Sequence, residues 1–247
     1  MKTQGNTILI TGGNSGIGKS LALKLHAAGN KVIVTGRRAA ALDELTAAAP
    51  GIASYVLDVR NAAEIQDFAR QVVADHPDLN VLVNNAGIMR VENAAAERDL
   101  GDAEETVLTN LLGPIRLTNA LIGHLLGKAD AVIVNVSSGL AFVPLAAAPT
   151  YSATKAAIHS YSVALRVKLQ GKVEVIEVVP PGIRTELTPG QSQREHYMPL
   201  EQYIDETMAL LQSQPTPSEL LVDRVKFLRW AEAEGRFDKA LAALNGG

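Results

Sequence analysis

A chain of 247 residues is long enough to bury a sizeable core, and 47% hydrophobic against 20% charged residues excludes a disordered composition. The formal net charge of −3 gives no electrostatic reason to expect a nucleic acid or an anionic membrane as partner. Cysteine is absent, which rules out disulfides, thiolate nucleophiles and Cys-ligated metals and fits a reducing, cytoplasmic setting.

The opening segment, MKTQGNTILITGG, has too short an apolar stretch and meets glycine too early to read as a signal peptide. TILIT (7–11) is the first of six short β-rich runs. KVIVT (31–35), ASYVL (53–57), NVLVN (80–84), AVIVNVS (131–137) and KVEVIEVV (172–179) follow. Several are apolar almost throughout, as strands covered on both faces must be. Helix-length segments lie between them, including Gly16–Ala28, which Gly29–Asn30 ends, and Ile65–Val73. This alternation predicts an α/β fold, a doubly wound parallel sheet of about six strands with helices on both faces. No linker or internal repeat interrupts it, so residues 1–247 read as a single domain.

The uncharged run Ala131 to Thr154 could span a bilayer by length. Asn135, Ser137, Ser138, Gly139, Pro144 and Pro149 make it a buried strand and a loop instead. Residues 186–217 carry Pro189, Pro199, Pro215 and Pro217 and read as a loop plus a short helix over a site. Residues 218–244 read as a helical C-terminal tail, with apolar contacts from Leu221, Val225, Leu228 and Trp230 and no seventh strand.

Two stretches carry chemistry. The first strand runs into T11-G-G-N-S-G-I-G18 and then an amphipathic helix. Gly12, Gly16 and Gly18 let the backbone turn tightly and approach a pyrophosphate, whose charge is favoured at a helix N-terminus. The second strand ends VIVTGRR, with Arg37 and Arg38 where a carboxylate would select a free ribose hydroxyl. A guanidinium fork suits a 2′-phosphate, so NADP(H) is expected in preference to NAD(H). In YSATK (151–155) a phenol and an ammonium lie four positions apart, on one helical face. A free phenol has a pKa near 10, and the Lys155 charge beside it would favour the Tyr151 anion. Tyr151 then reads as general acid in reduction and general base in oxidation. The five histidines show no ligand spacing, so no metal site is expected.

With TGGNSGIG and YSATK in place, the sequence resembles the short-chain dehydrogenase/reductase family. Asp58-Val59, N84-N-A-G87, Asn110 in TNLLG, Ser138 closing NVSS, and P181-G182 match it in order over residues 7–185. The turn spacing G-x-x-x-G-x-G sets it apart from the extended epimerase relatives. The resemblance implies a single Rossmann-fold domain with Asn110, Ser138, Tyr151 and Lys155 as the catalytic set. Ser138 is chosen over Ser137 because the family's serine stands thirteen residues before its tyrosine. It would hold the substrate oxygen. Asn110 would kink its helix and bind a water beside the lysine, and Lys155 would also hold the nicotinamide ribose. The implied cofactor contacts are Gly12, Asn14, Ser15, Gly16, Ile17, Gly18, Arg37, Arg38, Asp58, Val59, Asn85, Ala86, Gly87, Tyr151, Lys155, Pro181, Gly182, Ile183 and Thr185. Asp58 would accept from the adenine amino group.

The tail and the Arg pair resemble a bacterial subgroup of the family named after an oxidoreductase associated with D-alanylation of teichoic acid. The expected activity is an NADPH-dependent carbonyl reductase, or secondary-alcohol dehydrogenase in reverse, on a small ketone or aldehyde. GLAFVPLAAAPT (139–150) would give its pocket an apolar wall, and Arg194, His196 and Tyr197 are candidates to touch a polar substrate group. The alternative is a non-catalytic NADP(H)-binding redox sensor. A homodimer is expected through the helices bearing Asn110 and Tyr151.

Overall fold

Residues 1–246 are described by a computed structural model. The chain alternates strictly through its first half: β1 (Thr7–Thr11), α1 (Gly16–Ala27), β2 (Lys31–Gly36), α2 (Ala39–Ala48), β3 (Ala53–Val56), α3 (Ala62–Asp75) and β4 (Val81–Asn84). Then come α4 (Gly101–Val107), a π-helical segment (Leu108–Leu112), α5 (Gly113–Leu125), β5 (Val132–Val136), a 3-10 turn (Gly139–Ala141), α6 (Pro149–Lys168) and β6 (Glu174–Val178). The remainder holds a second 3-10 turn (Gln191–Gln193), α7 (Leu200–Gln212), β7 (Glu219–Leu220), α8 (Asp223–Arg229) and α9 (Phe237–Asn245). No helix among the described residues is long and apolar enough to cross a membrane.

All strand pairs are parallel, in the order β3-β2-β1-β4-β5-β6-β7. The order reverses direction between β1 and β4, so the carboxyl ends of those two strands open the crevice where such sheets bind ligands. The apolar strands are buried on both faces because helices cover both. One core layer joins β-sheet side chains to Leu21 and Leu25 of α1, Leu42 and Leu45 of α2, and Tyr203 and Ile204 of α7. The other joins them to Ile65 and Phe68 of α3 and Leu117 and Leu121 of α5. At the end of α1, the Asn30 side-chain amide donates to the Leu25 carbonyl, closing one of the orphan acceptors there.

The strand count corrects the sequence reading. A seventh strand exists, two residues long, pairing Glu219 with Glu177 and Leu220 with Val178. So short a strand has no periodicity to read. It forms because the edge of β6 would otherwise leave buried backbone unpaired: Glu177 N–H donates to Ser218 O at 2.9 Å and Val179 N–H to Leu220 O at 3.3 Å. The segment 200–212, expected as a short helix, is a helix of 13 residues buried through Tyr203, Ile204, Thr207, Met208 and Leu211.

Candidate active site

The glycine turn is set by close approach. Gly12 has φ +65°, and a Cβ there would stand 2.9 Å from Ala86 Cα. A Cβ on Gly18 would come within 2.4 Å of both Asn85 Nδ2 and Gly12 O. The reason is that Asn85 braces the turn: its amide donates to Thr11 O at 2.9 Å and Gly12 O at 3.3 Å. Thr11 Oγ1 in turn accepts from the Asn85 and Ala86 amides, both at 3.0 Å. Asn85 and Ala86 thus hold β1 and β4 together at the crevice. Ser15, at the N-cap of α1, makes no side-chain cap, and the first turn carries no acid, so the helix N-terminus is free for an anion. Thr185 closes the other side, its Cγ2 lying 3.6 Å from where a Gly16 Cβ would be. This cradle fits a dinucleotide pyrophosphate.

At the far end of the crevice the acids and bases sort differently from the expectation. Asp58 does follow β3, but both its oxygens are held by Arg60, at 2.9 Å from Nε and 2.5 Å from Nη2. That fork holds the Asp58 carboxyl below its usual range. Arg37, half exposed, reaches Glu105 at 3.2 Å, and Arg60 and Arg90 share the same carboxylate. Arg38 stands at the N-cap of α2 without a side-chain cap. Asn14 lies over Gly36, where a Cβ would meet its Cγ at 2.7 Å. Val59 is buried against Gly113 at the start of α5. Arg60 and Glu105 were not picked out from sequence, since isolated surface-type charges carry no pattern.

Asn110, Ser138, Tyr151 and Lys155 converge from three places in the fold: the π-helical segment, the turn after β5, and α6. Asn110 lies at the centre of the π-helical segment, where Gly113 N–H reaches back five residues to Leu108 O. A π-type turn is a local distortion of the helix, and it lies at the position where the resemblance implies a kink. Its side chain is fully engaged: Oδ1 accepts from Ile88 N–H at 2.9 Å, and Nδ2 donates to Ile88 O at 2.8 Å and Thr154 Oγ1 at 3.3 Å. A Cβ on Gly87 would stand 3.4 Å from Asn110 Oδ1 and 3.7 Å from Lys155 Nζ, so these three residues meet around one small space. Lys155 Nζ donates to Val136 O at 2.8 Å and lies 5.5 Å from the centre of the Tyr151 ring. Ser138, two residues past β5, accepts from Leu140 N–H at 3.1 Å and caps the 3-10 turn.

The electrostatics depart from the simple pairing. Burial lowers Lys155 from 10.5 to about 8, opposed by the negative charge of Glu177. Burial pushes Tyr151 up to about 12; the Ser138 hydroxyl pulls it back and Tyr197 adds to the rise. The neighbour that draws Tyr151 back toward its ordinary value is the Ser138 hydroxyl. The Lys155 ammonium donates to Val136 O and lies over the Tyr151 ring.

Further residues complete the site. Glu92, nearly buried, accepts from Thr150 N–H at 3.0 Å and Thr150 Oγ1 at 2.7 Å, capping α6 one residue before Tyr151. Arg98 holds the same carboxylate at 2.6 Å. Tyr197 lies against Gly182, its ring 3.1 Å from where a Cβ would stand, and its hydroxyl accepts from Arg194 at 3.0 Å. Ile183 is buried and bridged to Met198, and Pro181 and Gly182 lead into this fold-back. His196 stacks edge-on to Tyr197. The 139–150 segment is only partly a pocket wall. Val143 is buried against Ala231 and Ala240, and Phe142 stacks on His159 and Arg229. His159, Glu177 and Glu219 place donor atoms within 4.8 Å of one another, although their sequence positions gave no hint of it.

A doubly wound parallel sheet with a glycine-rich turn opening a helix at its switch point, and a tyrosine–lysine helix beside it, defines a nicotinamide-dinucleotide oxidoreductase. A sequence profile described as short chain dehydrogenase matches residues 6–196, and the chain belongs to that family. It is 42% identical over 189 residues to the "Uncharacterized oxidoreductase DltE" of Bacillus subtilis, covering 76% of this chain and 75% of that protein. An NADP-dependent 3-hydroxy acid dehydrogenase of Shigella flexneri is 33% identical over 178 residues, 71% of each chain. A short-chain dehydrogenase of Streptomyces avermitilis superposes with TM-score 0.83 at 27% identity, covering 97% of this chain and 96% of that one. The protein is an oxidoreductase acting on CH–OH and C=O groups.

Proposed function

We propose that the protein is an NADPH-dependent carbonyl reductase, or alcohol dehydrogenase in reverse, using Asn110, Ser138, Tyr151 and Lys155. The observation that carries the reading is the convergence of Gly87, Asn110 and Lys155 within van der Waals reach, beside the Tyr151 phenol and the open cradle. Gly12, Gly16, Gly18 and the amides opening α1 would hold the pyrophosphate, and Pro181, Gly182, Ile183 and Thr185 would border the nicotinamide. The bound nicotinamide would supply or take the hydride.

The chain's own part is proton handling and orientation. Ser138 holds the substrate oxygen, and Tyr151, kept protonated by burial, donates to that oxygen as negative charge develops. Lys155 is charged below about pH 8 and, 5.5 Å from the centre of the Tyr151 ring, would place positive charge beside the phenol as it gives up its proton. Asn110 fixes Ile88 and Thr154, which keeps the lysine's surroundings in register. Arg37 and Arg38, with no acid at the end of β2, support NADP(H) over NAD(H), and the name of the Shigella relative agrees. Leu140 and Ala141 remain half-buried beside Ser138 and favour a small apolar ketone or aldehyde. The Shigella relative's name adds 3-oxo acids to the range to be tried. A cytoplasmic location belongs to the same reading. Val163 and Val167 are exposed on α6 and support pairing of α5 and α6 across a two-fold axis into a homodimer.

NADPH consumption with ketones, aldehydes, quinones and 3-oxo acids, comparing wild type with Tyr151→Phe, tests the reading. Turnover reduced about 100-fold or more by the substitution supports it. Turnover unaffected by it removes the proton donor, and NADPH binding with no turnover of any compound would favour a redox sensor.

A further inference from the structure

Behind the serine loop lies a buried ionic cluster that the mechanism does not use. Glu177, in β6, is fully buried. Its Oε1 accepts from Ser137 Oγ at 2.5 Å, and its Oε2 meets His159 Nδ1 at 2.8 Å. Ser137 precedes Ser138, and His159 stands one helical turn beyond Lys155 on α6, so one carboxylate ties both catalytic segments to the sheet. Two consecutive turns of α6 are thereby anchored, Lys155 to β5 through Val136 O and His159 to β6.

The C-terminal tail closes the arrangement. Arg229 of α8 forks onto Glu219 of β7 at 2.6 and 2.9 Å and stacks on Phe142, whose ring meets His159 at 4.7 Å. Leu228 and Val225 press on Gly139, the residue after Ser138. His159, Glu177 and Glu219 converge, and the Arg229 guanidinium already answers Glu219. The groups facing Glu177 are Ser137 just after β5, Lys155 and His159 of α6, Glu219 of β7 and Arg229 of α8. Arg166 of α6 adds its charge through Glu219.

We propose that Glu177 is a positioning residue for the reaction: its carboxylate locks the serine loop to the Tyr151–Lys155 helix and supplies the buried negative charge within reach of Lys155. The inference rests on the catalytic reading of Lys155 given above. In reduction both Tyr151 and Lys155 must keep their protons, so activity has an alkaline limb. Removing the Glu177 charge makes the Lys155 ammonium easier to deprotonate and moves that limb to lower pH.

Glu177→Gln keeps an acceptor for Ser137 and a group toward His159 while removing the charge. Measured with NADPH and the carbonyl compound wild type turns over fastest, kcat should fall about tenfold and the alkaline limb of kcat/KM shift down by about one pH unit. NADPH affinity at pH 7, read by nicotinamide fluorescence, should stay within about twofold. Glu177→Asp, which retains the charge, should return the limb toward its wild-type position. A rate loss with an unmoved limb, or wild-type kinetics, overturns the proposal. Should Glu177→Gln fail to fold, Ser137→Ala decides the positional half: kcat lower by about fivefold with the limb unmoved supports it, and unchanged kcat overturns it. Tyr151→Phe in parallel separates the two ideas, because full turnover there sinks the catalytic reading itself.

Discussion

Replacing Glu92 by alanine removes a cap supplied to α6 from 58 residues away. The helix has no cap of its own, since Ala148 stands at the N-cap and Pro149 follows. Glu92 accepts from the Thr150 amide and hydroxyl, and its side chain is only 3% exposed. Loss of an N-terminal cap costs about 1 kcal/mol, and stranding the Thr150 hydroxyl about 1 kcal/mol more. Arg98 keeps Asp102 as a partner at 2.5 Å, so its loss of Glu92 adds under about 1 kcal/mol. The sum is about 2 to 3 kcal/mol, which for a chain of this size lowers Tm by about 4 to 12 °C. Because Tyr151 follows Thr150, kcat should fall as well, by about tenfold, through misplacement of the phenol. Urea unfolding followed by circular dichroism, with NADPH-consumption kinetics on the same preparations, measures both. Glu92→Gln, which keeps an acceptor for the amide, should lose about half as much stability. A change below about 0.5 kcal/mol in Glu92→Ala, with kcat intact, would refute the cap.

Lys155→Met tests the burial of the ammonium. The folded-state pKa of about 8 lies below the ordinary 10.5, so burial of the charged form opposes folding at neutral pH. A fall from 10.5 to about 8 corresponds to about 3 kcal/mol, from which the lost bond to Val136 takes about 1, leaving Lys155→Met about 2 kcal/mol more stable at pH 7 and inactive. Between pH 8 and 10.5 the unfolded chain holds more protons at this site, so its contribution to wild-type stability rises with pH and the advantage of Lys155→Met shrinks. Urea midpoints of the two proteins from pH 7 to 10 check the sign, and an advantage that grows with pH rejects it. Gly18→Ala puts a methyl 2.4 Å from Gly12 O and Asn85 Nδ2. Calorimetry and NADPH titration should find about 1 to 3 kcal/mol of lost stability and at least tenfold weaker binding. Arg37→Ala should raise the KM for NADPH about tenfold while leaving that for NADH within about twofold; equal effects on both cofactors would remove Arg37 from 2′-phosphate recognition.

The strand and helix pattern could be read locally because apolar runs and glycine turns report the burial of their own residues. TILIT before TGGNSGIG and KVIVT before GRR needed no tertiary information, and YSATK declared its shared helical face through spacing alone. The π-helical segment at Asn110 left no mark in the apolar pattern, and only the family resemblance drew attention to that position. The rest depended on partners distant in the chain. Glu92 looks like any surface carboxylate until the fold brings it to Thr150, and Asp58 reads as a free acceptor until Arg60 closes on it. Strand β7 is too short to announce itself and exists because β6 needed an edge partner. Glu177 did carry one visible oddity, a carboxylate set between Ile176 and Val178 in the run KVEVIEVV, but its meaning lies in Ser137 and His159, 40 and 18 residues away. Periodicity records which face of an element is buried; a charge inside a protein is defined by what stands opposite it, and only the tertiary structure decides that.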